Sequence, residues 1–394
     1  MLTMKTNQFA TTTGRYLVTF KSPRHAPREW LHRVAGLHMA STADGASCAD
    51  ITATADDVAP WDGALYFDTL GVAVVNVDAP ELKALQRAAG GRHVVIEPER
   101  VMVPLAYCDT ASETWGLQAV AARVGRATGR GVKIAVLDTG LGDHADLAKR
   151  EHIARMSFVP GEDCDDEHGH GTHCVGTAMG CSSSVGSRLY GVAPSATILA
   201  GKVLSNEGYG QTAWILEGIE WAIREHATVI SMSLGADVRR GAPFDAAYEQ
   251  AAKAALDAGT LVVAAAGNSG AAVGAPANCP SVMAVAAVGH DLVRARFSSI
   301  GYDRDNSGPA HKGPDIAAPG VDVYSSVPQG THSSGFASWS GTSMATPHVA
   351  GCAALWAEKT GLRGRDLWRV MVDHSRRVGQ SPLHVGAGLV QVPA

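Results

Sequence analysis

Apolar and polar positions in the first hundred residues switch between the spacing of helices and that of strands. Helical spacing runs through residues 27–38 and again through 80–89. Short apolar runs typical of strands surround them, at 16–21, twice within 64–77 on either side of Gly71, and at 94–96. The order β-α-β-β-α-β predicts a small ferredoxin-like α+β layer. The low-complexity stretch 41–60 is expected to be a surface loop.

Apolar runs also organise the remainder of the chain. Residues 132–137 predict a buried strand that ends at Asp138, and a second apolar run, from residue 261, leads to Asn268. The glycine-rich stretches 168–177 and 341–351 predict turns that lead into helices. In open parallel sheets functional groups gather at the carboxyl ends of the strands, so we expect candidate functional residues at these junctions.

Composition narrows the possible functions. The 394 residues are enough for two domains, one small and one of about 280 residues. A net charge of −5 provides no basic surface, which argues against nucleic acid as a partner. No apolar run approaches the ~20 residues that span a bilayer, so we expect no membrane span.

Three polar residues at these junctions form a candidate catalytic set. Ser343 is predicted on the turn before a helix, where unpaired N–H groups and the helix dipole stabilise a developing oxyanion. A serine hydroxyl needs a base and a group that orients the base, and the chain offers His170 and Asp138 upstream. Acid, histidine, serine is one of three known chain orders for such triads.

The segments around these residues resemble the catalytic signatures of the subtilisin-like serine proteases. They read Asp-Thr-Gly from Asp138, His-Gly-Thr-His from His170 and Gly-Thr-Ser-Met-Ala around Ser343. The resemblance covers residues 115–394 and implies a doubly wound, mostly parallel α/β sheet and a serine endopeptidase. It implies an oxyanion hole formed by Asn268 and the Ser343 N–H. It also implies catalysis without a cofactor.

The resemblance further assigns a groove for polypeptide substrates. Segments 208–210 and 231–235 resemble the two segments that sandwich an extended peptide through its main chain. Glycine at 274, with Leu234 and Ala265, implies a roomy first pocket for large apolar or aromatic residues, and Thr212 a more open fourth pocket. The expected substrate-binding residues are Gly208, Tyr209, Gly210, Ser233, Leu234, Gly235, Ala265, Gly267 and Gly274.

The first domain resembles the inhibitory propeptide of the same family. This divides the chain into a tail at 1–13, a propeptide-like domain at 14–107 and a peptidase domain at 108–394. The propeptide would act as an intramolecular inhibitor that the enzyme removes from itself, with cleavage expected between Tyr107 and Cys108. The alternative is a first domain that is never removed and packs as a permanent lid.

The histidines around His170 could instead be zinc ligands. His168, His170 and His173 lie near Cys164 and Cys174, but no zinc-ligand spacing accompanies them. We therefore expect His173 to be structural and His168 to face solvent. Cys174 resembles the cysteine of the branch that includes proteinase K and thermitase, which would place it beneath the catalytic histidine.

Two alternatives remain for the function of the whole chain. One is a catalytically silent binding protein with this fold. The other is a relative that uses the triad for acyl transfer or peptide cyclisation.

The sequence departs from the family's pattern at the calcium site. Asp146 matches a ligand of the family's structural calcium site, yet the loop that should complete it, 181–187, lacks the expected asparagine.

Residues 1–14 contain no hydrophobic signal-peptide core, and seven cysteines without framework spacing suit a reducing compartment. Relatives with propeptides are, however, usually exported. We therefore expect either an intracellular enzyme or export by a route that does not read a signal peptide, and a leader already removed is the third possibility.

Overall fold

The computed structural model describes residues 12–20, 26–44, 63–67, 71–89, 93–100, 108–147, 150, 153–181, 188–302 and 312–394. The chain divides into two compact units, Met1–Pro104 and Leu105–Ala394. The domain boundary expected after Tyr107 stays a prediction, since Tyr107 lies outside the described residues. The first strand begins at Thr12 and so includes the last two residues of the predicted tail.

The first unit is a five-stranded sheet with two helices. Its strands lie in the order β2-β3-β4-β1-β5, with β1 antiparallel to β4 and β5. Its elements are β1 (Thr12–Phe20), α1 (Pro27–Ala35), β2 (His38–Ser41), β3 (Gly63–Phe67), β4 (Val72–Val75), α2 (Ala79–Ala89) and β5 (Val94–Arg100).

Strand β2, which pairs in parallel with β3 at the sheet edge, was not predicted. The predicted helix 27–38 is too long by three residues, because Gly36 adopts a left-handed φ of 68° that ends it. The chain beyond Gly36 is then free to form the extra strand. The predicted loop 41–60 lies largely outside the described residues, and Thr42–Asp44 forms a short 3₁₀ turn.

The second unit contains a seven-stranded parallel sheet in the order β12-β11-β10-β9-β6-β8-β7. Its strands are β6 (Lys133–Asp138), β7 (Ile153–Ser157), β8 (Thr197–Lys202), β9 (Val229–Met232), β10 (Leu261–Ala265), β11 (Met283–Val288) and β12 (Ile316–Pro319), followed by an antiparallel pair, β13 (Val323–Ser326) and β14 (Phe336–Trp339). Its helices are α3 (Trp115–Ala119), α4 (His170–Met179), α5 (Thr212–Arg224), α6 (Ala246–Asp257), α7 (Thr342–Thr360), α8 (Gly364–Asp373) and α9 (Pro382–Val385).

Helices cover both faces of this sheet. Val136 of β6 packs with Val175 of α4 and Val349 of α7 in one core. Leu137, the next residue of the same strand, packs with Ile219 of α5 in the other. Consecutive residues of a strand point to opposite faces, so a strand buried on both sides reads as a continuous apolar run. The predicted doubly wound sheet is therefore confirmed.

The sheet topology selects where the site forms. From β6 the order runs through β8 to β7 on one side and through β9 to β12 on the other. The order of the strands therefore reverses at β6, whose carboxyl end carries Asp138. Crevices for ligands open at such reversal points in parallel sheets. Among the helices of the described residues, none combines the length and apolar character needed to cross a bilayer.

Candidate active site

The candidate acid and base come from the end of β6 and the start of α4. His170 is the first residue of α4, and Gly169 before it has a φ of 93°, which glycine adopts readily. His170 Nδ1 lies 2.7 Å from Asp138 Oδ1. The Asp138 side chain is fully buried, whereas 20% of the His170 side chain is exposed. The pair thus presents one edge of the imidazole to solvent and encloses the carboxylate.

Two opposing effects act on the pKa of His170. Burial lowers this pKa, because an apolar environment disfavours the imidazolium. The Asp138 carboxylate raises it through charge and hydrogen bonding, and the resulting pKa lies well above the ordinary 6.5. An imidazole held in this way is a stronger base than free histidine.

Ser343 is the second residue of α7, within the helix and not on the turn before it as predicted. Its Oγ donates to the Ser233 carbonyl at 3.1 Å, and Ser233 Oγ donates back to the Ser343 carbonyl at 2.7 Å. The described contacts of Ser343 Oγ do not include the His170 ring, although both residues line the same groove. The structure therefore makes the Asp138–His170 bond and places Ser343 in the groove with its hydroxyl directed at Ser233. The second bond of a triad, between Ser343 and His170, is therefore not among the described contacts, and such bonds often tighten only with substrate bound.

Asn268 follows β10 and is anchored through its side-chain oxygen. Asn268 Oδ1 accepts from the N–H of Thr342 and from its Oγ1–H, each at 2.9 Å. Both partners are donors, so the oxygen occupies that side of the amide and Nδ2 the other. Asn268 lines the groove, as does Ser343, whose N–H belongs to the first turn of α7 and has no acceptor within the helix. These are the two donors expected of an oxyanion hole.

The groove itself has a volume of about 850 Å³. Every residue expected to bind substrate lines it: Gly208, Tyr209, Gly210, Ser233, Leu234, Gly235, Ala265, Gly267 and Gly274. Thr212 also lines it, and the hydroxyl of Tyr248 lies 3.4 Å from Thr212 Oγ1. A Cβ added to Gly274 would approach the Ala236 carbonyl oxygen to 2.6 Å. Glycine at 274 therefore permits close backbone packing against Ala236.

Asp166 holds the loop before His170, and sequence reasoning missed this role. Its carboxylate is buried and accepts five hydrogen bonds. Oδ1 accepts from Thr139 Oγ1 at 2.8 Å and from the N–H groups of His168 and Gly169 at 3.2 and 2.7 Å. Oδ2 accepts from Thr172 N and Oγ1 at 2.8 and 2.7 Å. The sequence shows only an acidic run around it, in which a buried carboxylate looks like its solvated neighbours.

The other histidines of the signature have different surroundings. His168 is exposed and lines the groove. His173 is buried, lies 3.0 Å through Nε2 from the Val323 carbonyl and stacks on Trp339 with ring centroids 4.6 Å apart. Burial, followed by the repulsion of His170, lowers the pKa of His173 to about 3, so its ring is neutral. A neutral, stacked ring that bonds a carbonyl has a structural role.

Cys174 lies next to the base. Its Sγ is 4.0 Å from His170 Nδ1 and 3.6 Å from the Ser343 carbonyl. Burial raises the pKa of this thiol. Among the described residues, the one group with a metal-binding arrangement is Asp138, His170 and Cys174. The histidine trio weighed as a zinc cluster forms no such group there.

Asp146, the residue matched to a calcium ligand, is buried, and its Oδ2 accepts from the hydroxyl of Tyr190 at 3.3 Å. It belongs to no metal-binding group of the described residues. Residues 182–187 of the loop expected to complete the site lie outside that part of the chain. The described donors do not by themselves fit calcium, and the site stays a prediction.

Sequence and structure comparisons relate this chain to known proteins. The model of the subtilase family matches residues 129–388. Alkaline elastase YaB from Bacillus sp. (strain YaB) is 39% identical over 305 residues, which cover 74% of this chain and 71% of that protein. Subtilisin BL from Lederbergia lenta is 46% identical over 253 residues, 63% of this chain and 85% of the relative. The solved structure of Sphericase superposes with a TM-score of 0.60 at 32% identity, covering 75% of this chain and all of that one.

Proposed function

The chain belongs to the subtilase family and is a serine endopeptidase, and on this premise we propose that Asp138, His170 and Ser343 are its catalytic triad. The 2.7 Å bond between His170 and Asp138 carries the proposal, because it orients the imidazole and raises its pKa. Ser343 turns from the Ser233 carbonyl toward His170, which takes its proton as the hydroxyl attacks a peptide carbonyl.

The tetrahedral intermediate is held by one donor that follows β10 and one in the first turn of α7. Asn268 Nδ2 and the Ser343 N–H stabilise the oxyanion, and the fixed amide oxygen of Asn268 means that no reorganisation is needed as charge develops. Asp138 stabilises the imidazolium. His170 then protonates the leaving amine, and water resolves the acyl-enzyme with His170 again as base. No step requires a cofactor.

Substrate recognition is assigned to the groove. Segments 208–210 and 233–235 pair with an extended polypeptide through main-chain groups. The pocket beside Leu234, Ala265 and Gly274 accepts large apolar or aromatic side chains next to the scissile bond. Specificity is otherwise broad, since main-chain pairing is common to all residues.

We further propose that the chain is a zymogen that cleaves itself between Tyr107 and Cys108. Support comes from the compact first unit, Met1–Pro104, which has its own buried core around Val18, Leu31 and Leu85. In this proposal residues 14–107 inhibit the peptidase until cleavage.

Ser343→Ala tests both ideas, with Ser340→Ala as the matched control three residues away. Ser340 Oγ accepts from the Asp322 N–H at 2.9 Å, outside the proposed triad. A fluorophosphonate should label the wild type and Ser340→Ala but not Ser343→Ala. The intact mass of the wild type and of Ser340→Ala should fall below 40.9 kDa, whereas that of Ser343→Ala should stay at 40.9 kDa. An unlabelled wild type would identify a silent binding protein, and a labelled wild type that never shortens would refute self-processing.

A further inference from the structure

Lys202 is completely buried although its side chain carries a charge. It is the last residue of β8 and pairs in register with Asp138 of β6. The proposed mechanism does not use it. A charge is costly to remove from water unless it is paired and hydrogen-bonded, so such a residue requires a reason.

Three polar groups surround the Lys202 ammonium group. Nζ donates to the Thr139 carbonyl and to Asn206 Oδ1, each at 2.7 Å. It forms an ion pair with Glu162 Oε2 at 3.1 Å. Two hydrogen bonds and an ion pair join these three groups to one ammonium, which therefore fixes them relative to one another.

Each of these three groups belongs to a different segment of the chain. Thr139 follows the acid, Asp138, and Glu162 lies on the turn after β7. Asn206 begins the loop that supplies groove residues 208–210, and its N–H donates to Glu162 Oε2 at 2.9 Å. The same Asn206 Oδ1 accepts from the N–H of Glu167 at 3.3 Å, and Glu167 lies three residues before His170.

The loop from Ser205 to Gly210 depends on this anchor at its base. Ser205 N donates to the Tyr209 carbonyl at 2.8 Å, which closes the loop on itself. Tyr209 at its tip is 58% exposed. A loop that is closed on itself and exposed at its tip takes its position from the residues that tie it to the sheet.

We propose that Lys202 is a positioning residue, which holds the groove edge 208–210 and the turn after Asp138 in a fixed relation through Asn206, Glu162 and Thr139. The inference rests on the proposed function of the groove and adds a determinant of its affinity for extended substrates. Substrates that pair with the edge need it preformed, whereas a substrate confined to the first pocket does not.

The test compares Lys202→Met with Lys133→Met. Lys133 begins β6 at the opposite end from Asp138, and its Nζ donates to the Glu225 carbonyl at 2.8 Å. Two substrates are used: an acetylated tetrapeptide p-nitroanilide with phenylalanine before the scissile bond, and the ethyl ester of N-acetyl-phenylalanine. Fluorophosphonate titration counts active sites, so a smaller folded fraction does not affect the rates.

For Lys202→Met we expect kcat/KM for the tetrapeptide to fall roughly 10- to 100-fold, mainly through KM, and that for the ester to fall several-fold less. Lys133→Met should leave the ratio of the two unchanged. Asn206→Ala keeps the Lys202–Glu162 pair and the main-chain bond from Asn206 to Glu162, but removes the side-chain oxygen that Lys202 and the Glu167 N–H share. It should therefore show the same selective loss if Lys202→Met does not fold.

Equal losses on both substrates in Lys202→Met, or an unchanged substrate ratio in Asn206→Ala, would overturn the proposal. A wild type that hydrolyses neither substrate would instead refute the proposed function. The two failures are therefore distinguishable in one set of assays.

Discussion

Replacing Asp166 with asparagine should destabilise the second unit and slow the enzyme. The exchange is nearly isosteric but removes the charge that five hydrogen bonds share. If the remaining oxygen serves Thr139, His168 and Gly169, the new NH₂ group faces the Thr172 N–H. That buried N–H then has no acceptor.

The magnitude follows from these contacts. A buried donor without an acceptor costs about 1–3 kcal/mol, and the surviving bonds to Asp166 lose the extra strength that a charged acceptor gives. Part of this is offset because a neutral amide is less costly to bury. We expect the free energy of unfolding to fall by about 2–4 kcal/mol. Because Asp166 fixes the loop that carries His170, kcat should fall roughly tenfold or more.

Asp165→Asn provides the control, one residue away and with the same loss of charge. The Asp165 side chain is 68% exposed and pairs with Arg155 at 3.4 Å, so its loss should change stability by less than about 0.5 kcal/mol. Urea unfolding is measured in a Ser343→Ala background, which prevents autolysis, and kcat in the active form. Equal midpoints for the two variants would refute the reasoning.

Two further predictions concern pH. The acid limb of kcat/KM should have its midpoint above pH 6.5, since Asp138 raises the pKa of His170 against the effect of burial. In Asp138→Asn the residual activity should have its midpoint below pH 6.5. A midpoint that is the same in both would contradict this. Burial lowers the pKa of His348 to about 4, so the unfolded chain takes up that proton near 6.5 and the folded chain only near 4. Stability from this group is present above pH 6.5 and is lost as the pH falls toward 4. His348→Gln in the Ser343→Ala background should flatten the urea-unfolding profile there by up to about 1.4 kcal/mol per pH unit, and an unchanged slope would contradict it.

The wider fold was largely predictable because its signals are local. Continuous apolar runs mark strands buried on both faces, as in β6 and β10. Helix spacing located α2 within one residue of its start, whereas α1 was predicted too long because the effect of Gly36 was not considered. Strand β2 was missed because it has four residues and pairs with a strand more than twenty positions later.

By itself, the sequence predicted many of the elements, singled out Asp138, His170, Ser343 and Asn268 as candidates, and identified segments that line the groove, because each depends on residue types at short spacing. Only the tertiary structure decided which carboxylate of an acidic run is buried, which lysine is enclosed, and where the Ser343 hydroxyl points. Asp166 and Lys202 meet Thr139 from 27 and 63 positions away. Burial and hydrogen bonding over such separations arise from packing, and no local pattern encodes them.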